Sequence, residues 1–276
     1  MTLSVVIITF NEEANIGRTL ASVQPLVTTH GRSNDNEIIV VDSGSTDRTV
    51  EIAKSHGAKV FVEAWKGYAA QKNSAIEKAT GAWILSLDAD EALSDGLPHE
   101  IALALGRQGN LKSELPPDRQ EFVDGFFFPR RNFFLGRWIK HGGFWPDPKL
   151  RLFRRGVGRF EHRLVHEDVF LTGRTGRLNN HLTHHSYPTL SDYLDHMNRY
   201  SSLGAEMVAA RGRARFSVFN IVLRPAATFF YNYFLRLGFL DGREGLLLHL
   251  YHAVYVSWKY AKAWELARGN TTAHSH

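Results

Sequence analysis

Residues 3–13 read LSVVIITFNEE. Leu3 to Ile8 is an unbroken, largely β-branched apolar run, the pattern of a strand buried on both faces as in a parallel sheet. Thr9, Asn11, Glu12 and Glu13 follow it at once. Asn11 is placed to cap a helix whose first turn holds Glu12 and Glu13 and whose apolar side includes Ile16, Leu20 and Val23. Further along, the same alternation repeats. Glu37–Val41 predicts a second buried strand, Asp42 to Thr46 a polar turn, and the stretch with Val50, Ile52 and Ala53 a helix. Lys59–Val62 predicts a short third strand, Gly67–Ala79 a helix and Ala82–Leu87 a fourth strand. Strand and helix thus alternate four times, which predicts a doubly wound α/β layer.

Beyond it the pattern changes. Gly106 to Asp124 holds few large apolar residues and contains Pro116 and Pro117, so it reads as a loop or insertion. Phe126–Phe128, Leu150–Phe153 and Leu164–Phe170 are short strand-like pieces, and from Ser191 onward the pattern is helical. There is no internal repeat and no low-complexity segment.

Composition narrows the classes further. The 276 residues are 43% hydrophobic and 22% charged, enough for a large core, which excludes a disordered tail. With no cysteine, disulfides, thiolate metal sites and a cysteine nucleophile are excluded. The net charge of +5 hides a split. Residues 1–106 carry 8 basic and 14 acidic side chains, residues 107–198 carry 15 and 10, and residues 199–276 carry 10 and 4. An acidic N-terminal part must therefore be reconciled with whatever anion the rest attracts. Met1–Phe10 has neither a basic flank nor a cleavage site, and no apolar run reaches the roughly 18–20 residues of a spanning helix, so a cytoplasmic protein is expected.

In open parallel sheets ligands sit at the carboxyl ends of the strands. Three such ends carry polar residues here: Thr9, Asn11 and Glu12 after the first strand, Asp42 after the second, and Asp88 with Asp90 after the fourth. Asp88-Ala-Asp90 places two carboxylates on one face of an extended segment, with Glu91 next. Such a cluster suits a hard cation, Mg²⁺ or Mn²⁺, bound jointly with substrate phosphates. The competing reading is that both aspartates cap a helix starting near Ala92. No Gly-X-Gly-X-X-Gly follows the first strand, and the acids standing there would repel a pyrophosphate, so NAD or FAD binding is not expected.

Val5–Glu13 (VVIITFNEE), Ile39–Thr49 (IVVDSGSTDRT), Gln71-Lys72-Asn73 and Leu87–Glu91 (LDADE) resemble the successive motifs of family 2 glycosyltransferases of the GT-A fold. Trp145–Gly156 (WPDPKLRLFRRG), Val165-His166-Glu167 and Leu237–Glu244 (LGFLDGRE) resemble lipopolysaccharide core glycosyltransferases that add β-linked glucose to an inner-core heptose. The resemblance implies a GT-A catalytic domain over residues 1–190, with a nucleotide-sugar half (1–106) and an acceptor half (107–190), followed by a helical membrane-associated region over 191–276. It implies that Thr9, Asn11, Glu12 and Asp42 face the uracil and ribose of a UDP-sugar. Lys72 stands where many relatives have Arg, keeping the charge without the planar fork. Asp88 would reach the ribose side, and Asp90 would ligate the metal on the diphosphate. That metal would let an acidic half accept an anionic donor.

Inverting transfer needs a base for the acceptor hydroxyl, and Glu167 is the expected one, with Asp168 its rival because strand neighbours point to opposite faces. Both could instead be surface acids beside Arg163. In the basic stretch from Lys149 to Arg163, Arg151 is the expected partner of the departing diphosphate. His181, His184 and His185 read as structural or surface residues rather than a zinc site.

Between Arg215 and Trp264 lie 13 of the chain's 33 aromatic residues, threaded with Arg and Lys. Leu246–Trp264, interrupted by His249, His252, Lys259 and Lys262, is expected to lie in a membrane interface on anionic lipid; a packed appendage or dimer interface is the alternative. The expected activity is transfer of a hexose, glucose, from a UDP-sugar to a lipid-linked saccharide, the lipopolysaccharide core. The expected place is peripheral, on the cytoplasmic face of the inner membrane. The rival acceptor is polyprenyl phosphate, and the rival of another class is a non-catalytic membrane-binding module. Nucleic acid is not an expected partner.

Overall fold

The computed structural model describes residues 2–27, 36–114, 122–161, 168–212 and 214–272. They fall into two compact units, one within residues 1–130, 148–163 and 167–184 and the other within 131–147 and 185–276. The expected division into 1–190 and 191–276 differs chiefly at 131–147, which group with the C-terminal helices.

The first unit is built on a seven-stranded sheet. Its strands are β1 (Leu3–Thr9), β2 (Glu37–Asp42), β3 (Lys59–Val62), β4 (Trp83–Asp88), β6 (Gly125–Phe128), β9 (Lys149–Arg154) and β12 (Thr175–Arg177), in the order β12-β6-β9-β4-β1-β2-β3. The strands from β4 to β3 are mutually parallel, and β9 runs antiparallel to both β4 and β6. All seven residues of β1 are buried. Leu3, Val5 and Ile7 enter one core with Ile16, Leu20 and Val23 of helix α1 (Ile16–Val27), while Val6 and Ile8 enter another with Ala69 and Ala75 of helix α3 (Tyr68–Glu77). The two-residue period of the strand thus serves both faces, as a doubly wound sheet requires. Each such aliphatic side chain contributes about 1.5–3 kcal/mol by leaving water.

Two local expectations are corrected and one competing reading is removed. Asn11 does not cap α1, which starts at Ile16; it sits at φ 53°, and its side chain instead accepts from Thr46 N. Asparagine tolerates this left-handed conformation because its short side chain bonds locally. The stretch read as a loop from Gly106 is helical as far as Glu114, because helix α4 runs Leu97–Glu114. A shortage of large apolar residues did not end the helix there. Asp88 and Asp90 cap no helix near Ala92: β5 (Glu91–Leu93) follows them and pairs with the start of β13 (Leu182–Tyr187). Of the strand expected over Leu164–Phe170, residues 164–167 lie outside the described residues, and β11 (Val169–Leu171) pairs with β10 (Gly158–Phe160).

The second unit opens with a hairpin of β7 (Arg130–Phe134) and β8 (Arg137–Trp138). Leu135 and Gly136 both have positive φ, the two-residue turn that matches strand twist. Helix α5 (Leu190–Ala210) begins at a capping box of Thr189 and Asp192. Helix α6 (Arg224–Phe230) is flanked by wider π turns at Phe219–Leu223 and Tyr231–Leu235, and Pro225 stands in its first turn. Helix α7 (Gly242–Thr272) closes the chain. Phe134, Ile139, Tyr193 and Leu248 form this unit's core. Asp241, buried, accepts from Lys140 N, His141 N and His141 Nδ1, pinning the 140–141 loop to the start of α7.

One buried carboxylate ties the first unit together. Glu37 accepts from Ser4 Oγ (2.7 Å), Lys59 Nζ (2.7 Å), Thr80 N (2.7 Å) and Thr80 Oγ1 (2.6 Å). Burial opposes its ionisation, but these donors prevail and hold the carboxyl at about 2. The ionised form therefore contributes stability above the ordinary pKa of 4.5, and that stability is lost as pH falls toward 2. Glu37→Gln should cost roughly 1–3 kcal/mol at pH 7, with the gap to wild type narrowing below pH 4.5 in chemical unfolding. A gap independent of pH would contradict this.

Candidate active site

The sheet register brings the polar strand ends to one level. Thr9 pairs with Asp42 across β1 and β2, and Ile8 pairs with Asp88 across β1 and β4. The carboxyl ends of three parallel strands therefore share a rim.

Asp88 is the best-determined group on it. Its Oδ1 meets Lys72 Nζ at 2.7 Å and its Oδ2 meets Arg151 Nη2 at 2.6 Å. The two cations are 6% exposed and the carboxylate 28%, so the charge pairs stand behind the rim and the carboxylate fronts it. Burial alone would raise the Asp88 carboxyl; Arg151 and then Lys72 outweigh it and hold it well below the usual range. Lys72 comes from α3, where its Nζ also lies 5.1 Å from the centre of the Phe160 ring. Arg151 comes from β9, the strand beside β4.

Glu91, fully buried, completes the network. It accepts from Arg151 Nη2 at 2.8 Å, Arg130 Nη1 at 2.9 Å and the Asp88 backbone N at 3.1 Å. Burial works against its charge, and Arg151 and Arg130 keep its carboxyl lowered even so. Asp90 takes a different partner, His184 Nε2 at 3.1 Å, which outweighs burial and lowers its carboxyl too. Sequence reasoning missed Arg130 and read His184 only as a structural or surface residue. His184 was detectable only through register, since its strand position lies opposite Glu91.

Glu12 lies within the field of these acids. Burial first, then Asp90, Asp47 and Asp88, push its carboxyl up to about 7 against the lowering bond from Asn15. Thr9 Oγ1 is buried with no hydrogen-bond partner among the described residues. Asp42 is buried and accepts from Gly44 N, Ser45 N and Ser45 Oγ of its own turn. The 45–49 loop in turn holds the tip of β1: Asn11 N donates to Ser45 Oγ, Glu12 N to Thr49 Oγ1 and Glu13 N to Asp47 Oδ2.

The structure thus brings Thr9, Glu12, Asp42, Lys72, Asp88, Asp90 and Arg151 to one side of the first unit, and leaves Asn11 exposed at its margin. Glu167 lies outside the described residues, and Asp168 is exposed just before β11. No group of three or more His, Cys, Asp or Glu among the described residues is placed to hold a metal alone. A hard cation bound jointly with phosphates needs only one or two carboxylates. Asp90, which fronts the rim with only His184 as its ion-pair partner among the described residues, and Glu12, crowded by like charge, fit that requirement. Arg151 meets both Asp88 and Glu91 through Nη2 and stands behind the carboxylates, while its buried Nε has no hydrogen-bond partner among the described residues.

Residues 4–156 match the model of the family described as Glycosyl transferase family 2. The lipopolysaccharide core biosynthesis glycosyltransferase LpsC of Rhizobium meliloti is 31% identical over 95% of this chain and 92% of its own. An uncharacterized glycosyltransferase of Rickettsia typhi is 31% identical over 96% of this chain and 87% of its own. The solved mannosyltransferase PcManGT from Pyrobaculum calidifontis, in complex with GDP-Man and Mn²⁺, superposes with a TM-score of 0.56 at 16% identity. That match covers 95% of this chain and 87% of that one, and shows a shared fold.

The raised Glu12 carboxyl has a stability signature. A carboxyl whose folded pKa exceeds its unfolded value of 4.5 costs stability as pH rises from there to about 7, and the cost stays constant above that. Glu12→Gln should therefore melt a few degrees higher than wild type at pH 8, for roughly 1–2 kcal/mol. The two should melt alike at pH 4. A variant that is less stable at pH 8 would refute the crowding of acids on the rim.

Proposed function

The chain belongs to glycosyl transferase family 2 and is a glycosyltransferase of mixed α/β, GT-A-like fold, and on that footing we propose that it moves a hexose, glucose, from a UDP-sugar to a lipid-linked saccharide with inversion at the anomeric carbon. The observation that carries this reading is the level register of Thr9, Asp42 and Asp88, with Asp90 beyond. The acceptor assignment, the heptose of a lipopolysaccharide inner core, is supported by the match to LpsC along nearly its whole length. The chain would work as a peripheral protein at the cytoplasmic face of the inner membrane, where such an acceptor is presented.

In this reading the uracil and ribose occupy the rim beside Thr9, Glu12 and Asp42. Thr9 Oγ1 supplies a hydrogen-bonding group that the fold leaves unsatisfied. Asp42 offers carboxylate lone pairs beyond those its own turn uses. Asp88, fixed from behind by Lys72 and Arg151, accepts from the ribose hydroxyls without having to be ordered on binding. Asp90 would hold Mg²⁺ or Mn²⁺ with the diphosphate, and Glu12 stands near enough in the electrostatic field to share that load. The cation would offset the charge of the diphosphate and of the departing UDP. Glu167 takes the proton of the acceptor hydroxyl as its oxygen bonds to the anomeric carbon and the bond to UDP breaks. Arg151 positions Asp88 and Glu91 through Nη2.

The test is UDP-sugar turnover over a donor panel, with and without Mn²⁺, followed by truncated lipopolysaccharide acceptors. Turnover that requires both cation and a heptose-bearing acceptor is expected; transfer to polyprenyl phosphate instead would move the acceptor assignment. Asp90→Asn should lower cation-dependent turnover by about 100-fold or more while the melting temperature stays near that of wild type. Glu167→Gln should bind UDP-sugar normally and lose transfer by about 100-fold or more. Near-normal turnover of the Glu167 variant would remove that residue as the base.

A further inference from the structure

The second unit carries an apolar face that a protein in water alone would not keep. Along the helix from Phe219 to Leu235, the residues turned inward include Ile221, Pro225, Phe229 and Tyr233. The outward positions, four or seven residues apart and so on one helix face, are Phe219, Leu223, Phe230 and Phe234, and the chain then turns through Leu237 and Leu240. Their exposures run from 46% for Phe234 and Leu237 to 58% for Phe219. Single exposed apolar residues are ordinary, but a continuous stripe of this length marks an interaction surface.

The stretch expected from sequence to carry the membrane face, Leu246–Trp264, does something else. Lys262 Nζ of α7 donates to Asn198 O, Ser201 Oγ and Ser202 Oγ of α5. On another side of α7, Ser257 Oγ donates to Ile221 O and Tyr260 receives Arg224. Helix α7 is therefore packing material between α5 and the 219–235 helix, with Leu248, Ala253, Val256 and Ala263 buried. The exposed apolar face lies one helix earlier.

We propose that the face from Phe219 to Leu240 inserts into one leaflet of an anionic lipid bilayer, with the helix lying in the plane of the interface. Charge selects this occupant over a second copy of the chain. From residue 207 to 240 there is no Asp or Glu, while Arg211, Arg215, Arg224 and Arg236 are exposed. A two-fold contact between copies would bring these arginines against one another, whereas anionic headgroups complement them. Tyr rings suit headgroup depth, and Phe and Leu side chains the acyl boundary beneath it. Among the described residues no helix is long and apolar enough to cross a membrane, so the contact is interfacial. This deepens the membrane-surface part of the proposed function by naming the segment and the mode. It does not depend on the transfer reaction.

Flotation of the full chain with phosphatidylglycerol-containing vesicles, without donor or acceptor, tests it. Wild type should float with these vesicles and remain partly bound at about 1 M salt, where charge is screened within about 3 Å. The triple variant Phe219→Glu, Leu223→Glu, Phe230→Glu should bind at least tenfold more weakly while keeping the wild-type circular dichroism spectrum. If that variant misfolds, Leu237→Ser with Leu240→Ser serves in its place, with a severalfold loss expected. Flotation unchanged in either folded variant overturns the proposal. So does a wild-type dimer in light scattering that the triple variant splits while vesicle binding stays the same. Loss of cation-dependent UDP turnover with flotation intact would refute the reaction and leave this inference standing.

Discussion

The site depends on the burial of charge behind the sheet rim. Asp88, Glu91, Lys72, Arg151 and Arg130 meet within a few ångströms, four of the five contacts at 2.6–2.9 Å and one, to a backbone N–H, at 3.1 Å. Taking any one of these groups out of water is costly, and removing one member of such a pair strands its partner at about 3–5 kcal/mol. The arrangement therefore allows little variation. It specifies how β4, β9 and α3 assemble, because their side chains supply both signs of the network. It also fixes the direction in which Asp88 points, toward solvent, before any ligand arrives.

Much of this was legible in the sequence. The unbroken apolar runs of β1, β2 and β4 have no other comfortable place than the middle of a two-faced sheet, and the acids following them fall at strand ends whatever the register. What could not be read was which acid pairs with what. Asp88 and Asp90 are separated by one residue, yet one is clamped by two permanent cations and the other meets a histidine. The difference comes from β9 and β13, which lie more than sixty residues downstream and have no local pattern linking them to the carboxylates. His184 was read only as a structural or surface residue for that reason, and Arg130, on β7 and 39 residues beyond Glu91, carries no local signal of its partner either. Arg151 was found through its motif, but its pairing with Asp88 and Glu91 was not, because a sequence shows a charge without showing which way it is buried.

Errors of a different kind arose where one pattern has two solutions. Asn11 followed by two glutamates is a good helix cap by composition, but the neighbouring 45–49 loop offers those backbone N–H groups better acceptors, and the helix starts later. In the C-terminal region, aromatic and aliphatic content is high in both the 219–235 helix and α7. Composition cannot say which of two apolar helices covers the other. The structure resolves it through polar anchors: Lys262, Ser257 and Tyr260 bind α7 on two sides, leaving the earlier helix with one open face.

The bonds from the β1 tip to the 45–49 loop carry an entropic consequence. Asn11, Glu12 and Glu13 give their N–H groups to Ser45, Thr49 and Asp47, while Thr46 and Arg48 return theirs to Asn11 and Glu13. Five reciprocal bonds make the two strand tips a single latch. Neither can open alone as a lid, so a ligand arriving there meets a surface whose ordering entropy was spent during folding. Association at this edge should therefore carry little ordering cost on the protein side.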